Sequence, residues 1–173
     1  KLFCLSPAQF IHFGTTKELL HLVTEGVKDY EFLNWKRQVS GVEANGGACA
    51  YSNSYIQEGV KVSARSYIED SYLVGETQVE EKCVVSGVTL RDNYVPAGVT
   101  LHGLKLRNGK YVVRVYGTFD NPKGYVDAHA PFLGTTLNRV GELLGLSKEE
   151  LWENEETYLW FAKLYPVCDT IEE

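Results

Sequence analysis

An apolar repeat with a six-residue period, between residues 44 and 90, restricts the possible folds of this chain more than any other feature. Its aliphatic positions advance by six residues with two five-residue steps: Ala44, Ala50, Ile56, Val62, Ile68, Val74, Val79, Val85 and Leu90. This period differs from that of an α-helix and from that of a β-strand. Because short repeats of this length are typical of a parallel β-helix, we predict that three hexads close one triangular coil.

Small residues follow most of these aliphatic residues after four positions, and Tyr72 is an exception. They are Ala48, Ser54, Val60, Ser66, Cys83 and Thr89. We therefore predict three inward-facing columns whose vertical neighbours lie about 4.8 Å apart. The columns are Ala44, Val62, Val79 and Val95; Ala50, Ile68, Val85 and Leu101; and Ile56, Val74 and Leu90. A sandwich of ordinary strands is the alternative, but such strands usually recur every ~8–12 residues.

Elements on either side of the repeat are predicted from turn and capping signals. After it, Asn108-Gly109 separates two alternating runs, 104–106 and 111–115, and favours a hairpin with a type I′ turn. Before it, the apolar run 9–13 predicts a strand, and Thr15 with Glu18 matches the capping box of a helix.

The C-terminal residues 135–173 predict two or three helices. The first has an apolar stripe, Leu137, Val140, Leu143 and Leu144, and Gly145 as its C-cap. The second begins with a Ser147/Glu150 capping box. The third is a helical run at 157–165 that stops before Pro166. The predicted fold class is therefore mainly β: a single-stranded parallel β-helix with a β-hairpin and C-terminal α-helices packed on it.

Charge and composition exclude several function classes. The formal net charge is −6, with 17 basic and 23 acidic residues, which argues against binding of nucleic acid or an anionic membrane surface. No apolar run is long enough to span a bilayer, and no signal-peptide pattern is visible. Four cysteines without CxxC spacing indicate reduced thiols in a cytoplasmic protein. Because the chain starts at Lys1 and contains no methionine, we expect it to be a piece of a longer protein.

A corner at Gly14, Thr15, Thr16 and Lys17 is the first candidate binding site. A strand–glycine–helix junction offers backbone N–H groups and the positive end of a helix dipole, and Lys17 adds an ammonium group. Together these groups suit a sugar phosphate. The alternative is an ordinary capped helix in which Glu18 occupies the same N–H groups.

A polar loop at Asp120, Asn121 and Lys123 is the second candidate, since its charged groups could hold a polar ligand. The alternative interpretation is an ordinary turn, because the sequence Asp-Asn-Pro strongly favours one. We assign no catalytic residue and no metal site, because the sequence has no phosphate-binding loop, no HxxxH pair and no evident nucleophile–base pair. His102, just beyond the repeat, could serve as the general base of a hexapeptide-repeat acyltransferase, but a lone histidine more often has a structural role.

Three phrases of the sequence resemble the fucose-1-phosphate guanylyltransferase family, which includes bifunctional fucokinase/GDP-fucose pyrophosphorylases. They are FIHFGTTKELL, VPAGVTLHGLKLRNGKYVVRVYGTFDNPKG and LWFAKLYPV, and they occur in this order from Phe10 to Val167. The resemblance implies that the β-helix is left-handed. It also implies that residues 1–35 end an upstream nucleotidyltransferase domain, that 36–104 form the β-helix, and that 105–173 pack on it.

The same resemblance implies a parent enzyme that makes GDP-L-fucose from GTP and L-fucose 1-phosphate with Mg²⁺, and that in some members also carries an L-fucokinase. This chain would then be a non-catalytic region without a cofactor of its own, with the upstream domain as its partner and the corner 14–17 near the sugar side of that domain's site. A homo-oligomer is compatible with this role. The alternatives are a complete hexapeptide-repeat acyltransferase and a scaffold that binds no ligand.

Overall fold

The computed structural model describes residues 4, 6, 14–24, 40–44, 47–121, 123, 131–153 and 157–170. The helices are α1 (Thr16–Thr24), α2 (Leu137–Leu144) and α3 (Lys148–Leu151), followed by a 3₁₀ turn at Leu159–Phe161. The strands are β1 (Ser40–Ala44), β2 (Gly47–Ser52), β3 (Tyr55–Ile56), β4 (Lys61–Val62), β5 (Tyr67–Glu69), β6 (Tyr72–Val74), β7 (Gln78–Val79), β8 (Val84–Ser86), β9 (Thr89–Arg91), β10 (Tyr94–Val95), β11 (Val99–Lys105), β12 (Tyr111–Gly117), β13 (Pro131–Phe132) and β14 (Thr135–Thr136). The predicted strand at 9–13 lies outside the described residues.

Stacked parallel coils make this chain a mainly β protein, a β-solenoid of about three turns. The strand order of its long sheet is β1-β2-β5-β8-β11-β12, that of the second sheet is β3-β6-β9, and that of the third sheet is β4-β7-β10. Ile68 pairs with Val85, seventeen residues further on, so one coil is one residue shorter than three hexads. The predicted parallel β-helix is confirmed; its left-handedness stays a prediction from the family resemblance.

Inward-facing side chains form three columns that make the core. The columns are Tyr51, Ile68, Val85 and Leu101 on the long sheet; Ile56, Leu73 and Leu90 on the second; and Val62, Val79 and Val95 on the third. The third column agrees with the sequence prediction from Val62 onwards, and the long-sheet column agrees from Ile68 onwards. Ile68, Leu73, Val79 and Val85 are completely buried.

Three predicted core positions are wrong. Ala44 lies opposite Gly47 in the antiparallel β1–β2 pair and does not belong to the column of Val62. Ala50 pairs with Tyr67, which places it one residue away from the inward position. Val74 pairs with Arg91 and lies one residue beyond the inward Leu73. The five-residue step leads from Ile68 to Leu73, rather than from Val74 to Val79 as predicted. The errors at Ala50 and Val74 have the same cause, namely that the adjacent residue, Tyr51 or Leu73, fits the repeat equally well. Ala44 is misplaced because β1 runs antiparallel to β2.

Two serines, the half-buried Ser54 and the buried Ser71, join successive coils at one corner of the solenoid. The Ser54 hydroxyl accepts a hydrogen bond from the Ser71 N–H (3.1 Å), and the Ser71 hydroxyl accepts one from the Val88 N–H (3.2 Å). The small residue at this corner is therefore Ser71, and the exceptional Tyr72 stands one place further on, exposed to solvent. These side chains satisfy backbone groups that the short strands leave unpaired.

The predicted hairpin is confirmed, but its turn type is wrong. Strands β11 and β12 pair antiparallel, with Lys105 opposite Tyr111. The Gly109 N–H donates to the Leu106 carbonyl (3.0 Å), so Arg107 and Asn108 occupy the centre of the turn. Among residues 106–110, only Gly109 has a positive φ, 83°. This is the three-residue loop in which a left-handed glycine follows a turn, rather than a type I′ turn.

The first two C-terminal helices form with the predicted caps. Thr136 caps α2, Gly145 ends it in the left-handed conformation (φ 68°), and Ser147 with Glu150 forms the capping box of α3. The predicted apolar stripe is only half correct, because Leu137 is buried while Leu143 and Leu144 are exposed. Helix α2 packs through Leu137 and Gly141, on the side that faces α3.

The predicted third helix at 157–165 is wrong, since only the 3₁₀ turn Leu159–Phe161 forms there. Tertiary hydrogen bonds override the local helical pattern: the Trp152 indole N–H donates to the Tyr158 carbonyl (2.9 Å), and the Lys163 N–H donates to the Leu151 carbonyl (2.9 Å). The Tyr165 hydroxyl then donates to the Val115 carbonyl (2.7 Å) and ties this segment to β12.

Candidate functional site

A row of polar side chains crosses the outer face of the long sheet. Because successive side chains of a strand point to opposite faces, the inward Ile68 places its neighbours Tyr67 and Glu69 outward. The strand register then aligns one side chain from each of five strands, and we call this set the polar row: Ser52, Glu69, Ser86, His102 and Arg114.

Hydrogen bonding within the polar row separates it into two halves. The Ser86 hydroxyl donates to Glu69 Oε1 (2.7 Å), which commits the serine proton to a carboxylate. His102 lies between Ser86 on β8 and Arg114 on β12. The row therefore combines an acidic half with a basic half, and it lacks the serine-to-histidine hydrogen bond that a nucleophile and its base would need.

Burial and charge keep His102 in its neutral form. Burial lowers the pKa of His102, the positive charge of Arg114 lowers it further, and Glu69 opposes both effects. At neutral pH the imidazole can therefore accept a proton or a hydrogen bond, next to a guanidinium that suits an anionic oxygen. Such a surface can bind a polar group of a partner domain or of a ligand.

We expect the His102 imidazole to titrate below its ordinary pKa of about 6.5, and Arg114→Gln to raise that pKa. The folded state binds this proton less readily than the unfolded state. The contribution of His102 to the free energy of unfolding should therefore be fully present above pH ~6.5 and decrease on acidification towards the pKa of the folded state. Two-dimensional NMR of the imidazole signals measures the pKa, and His102→Gln should remove the corresponding part of the pH dependence of unfolding. A normal pKa that Arg114→Gln leaves unchanged would contradict this description of the row.

Helix α1 covers the neighbouring apolar row of the same sheet face. Leu20 is buried against Ala50, Tyr67 and Val84. Burial, followed by the effects of Glu69, raises the pKa of Tyr67 to about 12. The polar row and α1 thus share one face of the solenoid.

The predicted corner at residues 14–17 begins α1 and has the predicted capping box. Oε2 of Glu18 accepts hydrogen bonds from the Gly14 N–H (2.8 Å) and the Thr15 N–H (2.9 Å), and the Thr15 hydroxyl accepts one from the Glu18 N–H (3.2 Å). The carboxylate of Glu18 therefore stands where an anionic ligand would meet those N–H groups. Thr16 and Lys17 take no part in this cap.

The predicted loop at Asp120 lies at the other end of the solenoid. Oδ2 of Asp120 accepts hydrogen bonds from the Gly117 N–H (2.6 Å) and the Leu133 N–H (3.1 Å), while Oδ1 of Asn121 accepts one from the Lys123 N–H (3.1 Å). Asp120 thereby clamps the end of β12 to the β13–β14 hairpin. The structure does not bring this loop together with the corner at residues 14–17, which begins the helix that packs on β2 and β5 through Leu20.

An apolar cavity of about 930 Å³ opens beside this loop. Its walls combine the last core residues of the solenoid, Leu90 and Leu101, with the aromatic ring of Phe119 and with Leu133. Asp120 is the one predicted site residue on its rim.

The described ranges contain neither a metal-binding cluster nor a membrane-spanning helix. Within them, no group of three or more His, Cys, Asp or Glu side chains could hold a metal ion. The helices of the same ranges are too short and too polar to cross a bilayer.

Comparison with known proteins gives one family. The model of the fucose pyrophosphorylase domain matches residues 1–170. Fucose-1-phosphate guanylyltransferase of Mus musculus is 29% identical over 98% of this chain and 31% of its own length, and the Homo sapiens protein of that name is 26% identical over 98% and 31%. The bifunctional fucokinase/GDP-fucose pyrophosphorylase of Arabidopsis thaliana is 27% identical over 95% of this chain and 17% of its own length. No solved structure matches the chain.

Proposed function

The chain belongs to the fucose pyrophosphorylase family, and on this premise we propose that it forms the β-solenoid region of an enzyme that makes GDP-L-fucose from GTP and L-fucose 1-phosphate. The observation that carries the proposal is the family match over nearly the whole chain. The chain spans less than a third of the length of the curated relatives in mouse and human. The proposal therefore concerns one region of a larger protein, which we place in the cytoplasm.

In the proposed reaction, a phosphate oxygen of the sugar phosphate attacks the α-phosphorus of GTP and pyrophosphate leaves. Negative charge builds up on the α-phosphate and the leaving group, and its stabilisation is usually the largest contribution to such catalysis. The sequence of this chain has no glycine-rich phosphate loop, and its described residues gather no metal-ligand group. We therefore assign the binding of GTP and of Mg²⁺ to an upstream nucleotidyltransferase domain. We assign no chemical step of the reaction to this chain.

The proposed role of this chain is to position that domain. Helix α1 and the polar row lie on one face of the long sheet. A face with a helix that leaves Leu19 exposed, a neutral imidazole and a guanidinium offers both apolar contact and hydrogen bonds to a neighbouring domain. Homo-oligomerisation through the solenoid stays a prediction.

The experiment that tests the proposed function is an assay of the full-length protein. It should release pyrophosphate when GTP, L-fucose 1-phosphate and Mg²⁺ are all present, and omission of the sugar phosphate should abolish the release. Equal release from GTP with any other sugar 1-phosphate would contradict fucose as the substrate.

Within this function we propose that Thr16 and Lys17 face the sugar phosphate, since Glu18 already occupies the N–H groups of Gly14 and Thr15. We expect Thr16→Ala in the full-length enzyme to raise the KM for L-fucose 1-phosphate several-fold and to leave the KM for GTP nearly unchanged. The matched control is Thr24→Ala at the other end of α1, where the hydroxyl donates to the Leu20 carbonyl (2.7 Å). Equal effects of Thr16→Ala on both substrates would show that Thr16 only supports the helix.

A further inference from the structure

Two tyrosine rings stack on the outer face of the second sheet. The ring centroids of Tyr55 and Tyr72 lie 4.6 Å apart with an interplanar angle of 18°. Both side chains are about half exposed, at 50% and 46%. The parallel register aligns Tyr55, Tyr72 and Thr89 at equivalent positions of three successive coils.

The ring stack stops at its third position. Thr89 stands where a third ring would follow Tyr72. A cavity of about 400 Å³ opens at this place, a size typical of small-ligand sites. We call it the tyrosine slot.

The polar corner beside the stack stops at the same coil. Asn53, Asp70 and Gly87 are equivalent left-handed corner residues, with φ of 45°, 46° and 65°. Nδ2 of Asn53 donates to Oδ1 of Asp70. Gly87 continues the corner without a side chain, because a Cβ there would lie 2.9 Å from the carbonyl oxygen of Gly103. The third coil therefore lacks both the ring and the polar group that the two preceding coils present side by side.

We propose that the tyrosine slot binds an uncharged pyranose ring. An aromatic face favours the apolar C–H face of such a sugar, and Asp70 and Asn53 have the oxygen and nitrogen atoms to bind its hydroxyl groups. The sugar would take the place of the missing ring and of the missing polar side chain together. The residues that line the slot include no lysine or arginine, so a phosphorylated ligand has no counter-charge there.

This site is separate from the corner at residues 14–17, and it does not depend on the proposed function. It would give the solenoid a sugar-binding surface of its own, on a different sheet from the polar row.

The test uses the full-length protein and two neutral probes, L-fucose and D-galactose, followed by saturation-transfer NMR and calorimetry. We expect saturable binding of at least one sugar with a Kd of about 1 mM. Thr89→Tyr fills the slot with the missing third ring and should weaken that binding about tenfold or more, without loss of folding. Tyr94→Ala is the matched control, because it removes an exposed tyrosine that does not line the slot.

Three results would overturn the proposal. The first is the absence of saturable binding of both sugars at about ten times the expected Kd. The second is unchanged binding by Thr89→Tyr, which would place the sugar elsewhere. The third is tighter binding of GMP than of either sugar at the slot, which would assign the stack to a nucleobase. None of these measurements depends on turnover, so they are independent of the test of the proposed function.

Discussion

Replacement of Ile68 by alanine should lower the free energy of unfolding by about 2–5 kcal/mol. Ile68 is completely buried in the middle of the long-sheet column, between Tyr51 and Val85. Its removal leaves a cavity between coils that cannot collapse, since the backbone ladders on both sides hold the strands at their spacing. Denaturant unfolding, followed by circular dichroism, measures the change.

Leu143→Ala is the matched control for Ile68→Ala. It removes a similar aliphatic side chain from the exposed face of α2, where 68% of the residue is accessible, and should change stability by less than about 0.5 kcal/mol. Similar losses for the two variants would mean that Ile68 is not in a solenoid core.

Replacement of Gly103 by alanine should destabilise the fold by about 1–3 kcal/mol or more. The new Cβ would lie 2.1 Å from the carbonyl oxygen of Gly87, a backbone atom that cannot rotate away. Strand β11 would have to move away from β8, which weakens the pairing of Leu101 with Val85. The loss should appear in thermal unfolding as a lower Tm.

Gly141→Ala makes the same chemical change where the structure has room. Its Cβ would lie 3.5 Å from the nearest atoms, at ordinary contact distance, and alanine favours a helix more than glycine does. We therefore expect equal or greater stability. A Gly103→Ala variant that unfolds at the wild-type temperature would contradict the close approach of β8 and β11.

The period of the solenoid could be predicted from sequence because most of its inward positions carry aliphatic side chains of similar size. Val62 and Val79 illustrate this, since each is apolar between polar neighbours. The position of a five-residue step could not be predicted where Leu73 and Val74 are both apolar. Only the backbone register, which pairs Leu73 with Leu90, decides between them.

The members of the polar row are far apart in the sequence. Glu69 and Ser86 meet because one coil takes seventeen residues, an offset that the predicted column of Ile68 and Val85 already contains, but only the structure shows that their side chains form a hydrogen bond. The sequence contains a signal for the row, because Ser52, Glu69 and Ser86 follow one another at intervals of 17 residues. The sequence shows His102 as a single histidine, whereas its partner Arg114 lies across the hairpin.

The corner at Gly14 shows the opposite case, in which local signals were sufficient. Thr15 and Glu18 predict a capping box, and the structure contains it. The same local reading failed at residues 157–165, where hydrogen bonds to Leu151 and from Trp152 decide the conformation. Local patterns predict caps well because both partners lie within one turn of helix.

The isolated 173-residue chain provides the most direct test of the claim that this solenoid supports catalysis without performing it. Purified alone, it should fold cooperatively and release no pyrophosphate from GTP, Mg²⁺ and L-fucose 1-phosphate above the rate without protein. Under the same conditions the full-length protein should turn over. Turnover by the isolated chain that survives repurification would contradict the account and would place the active site within these residues.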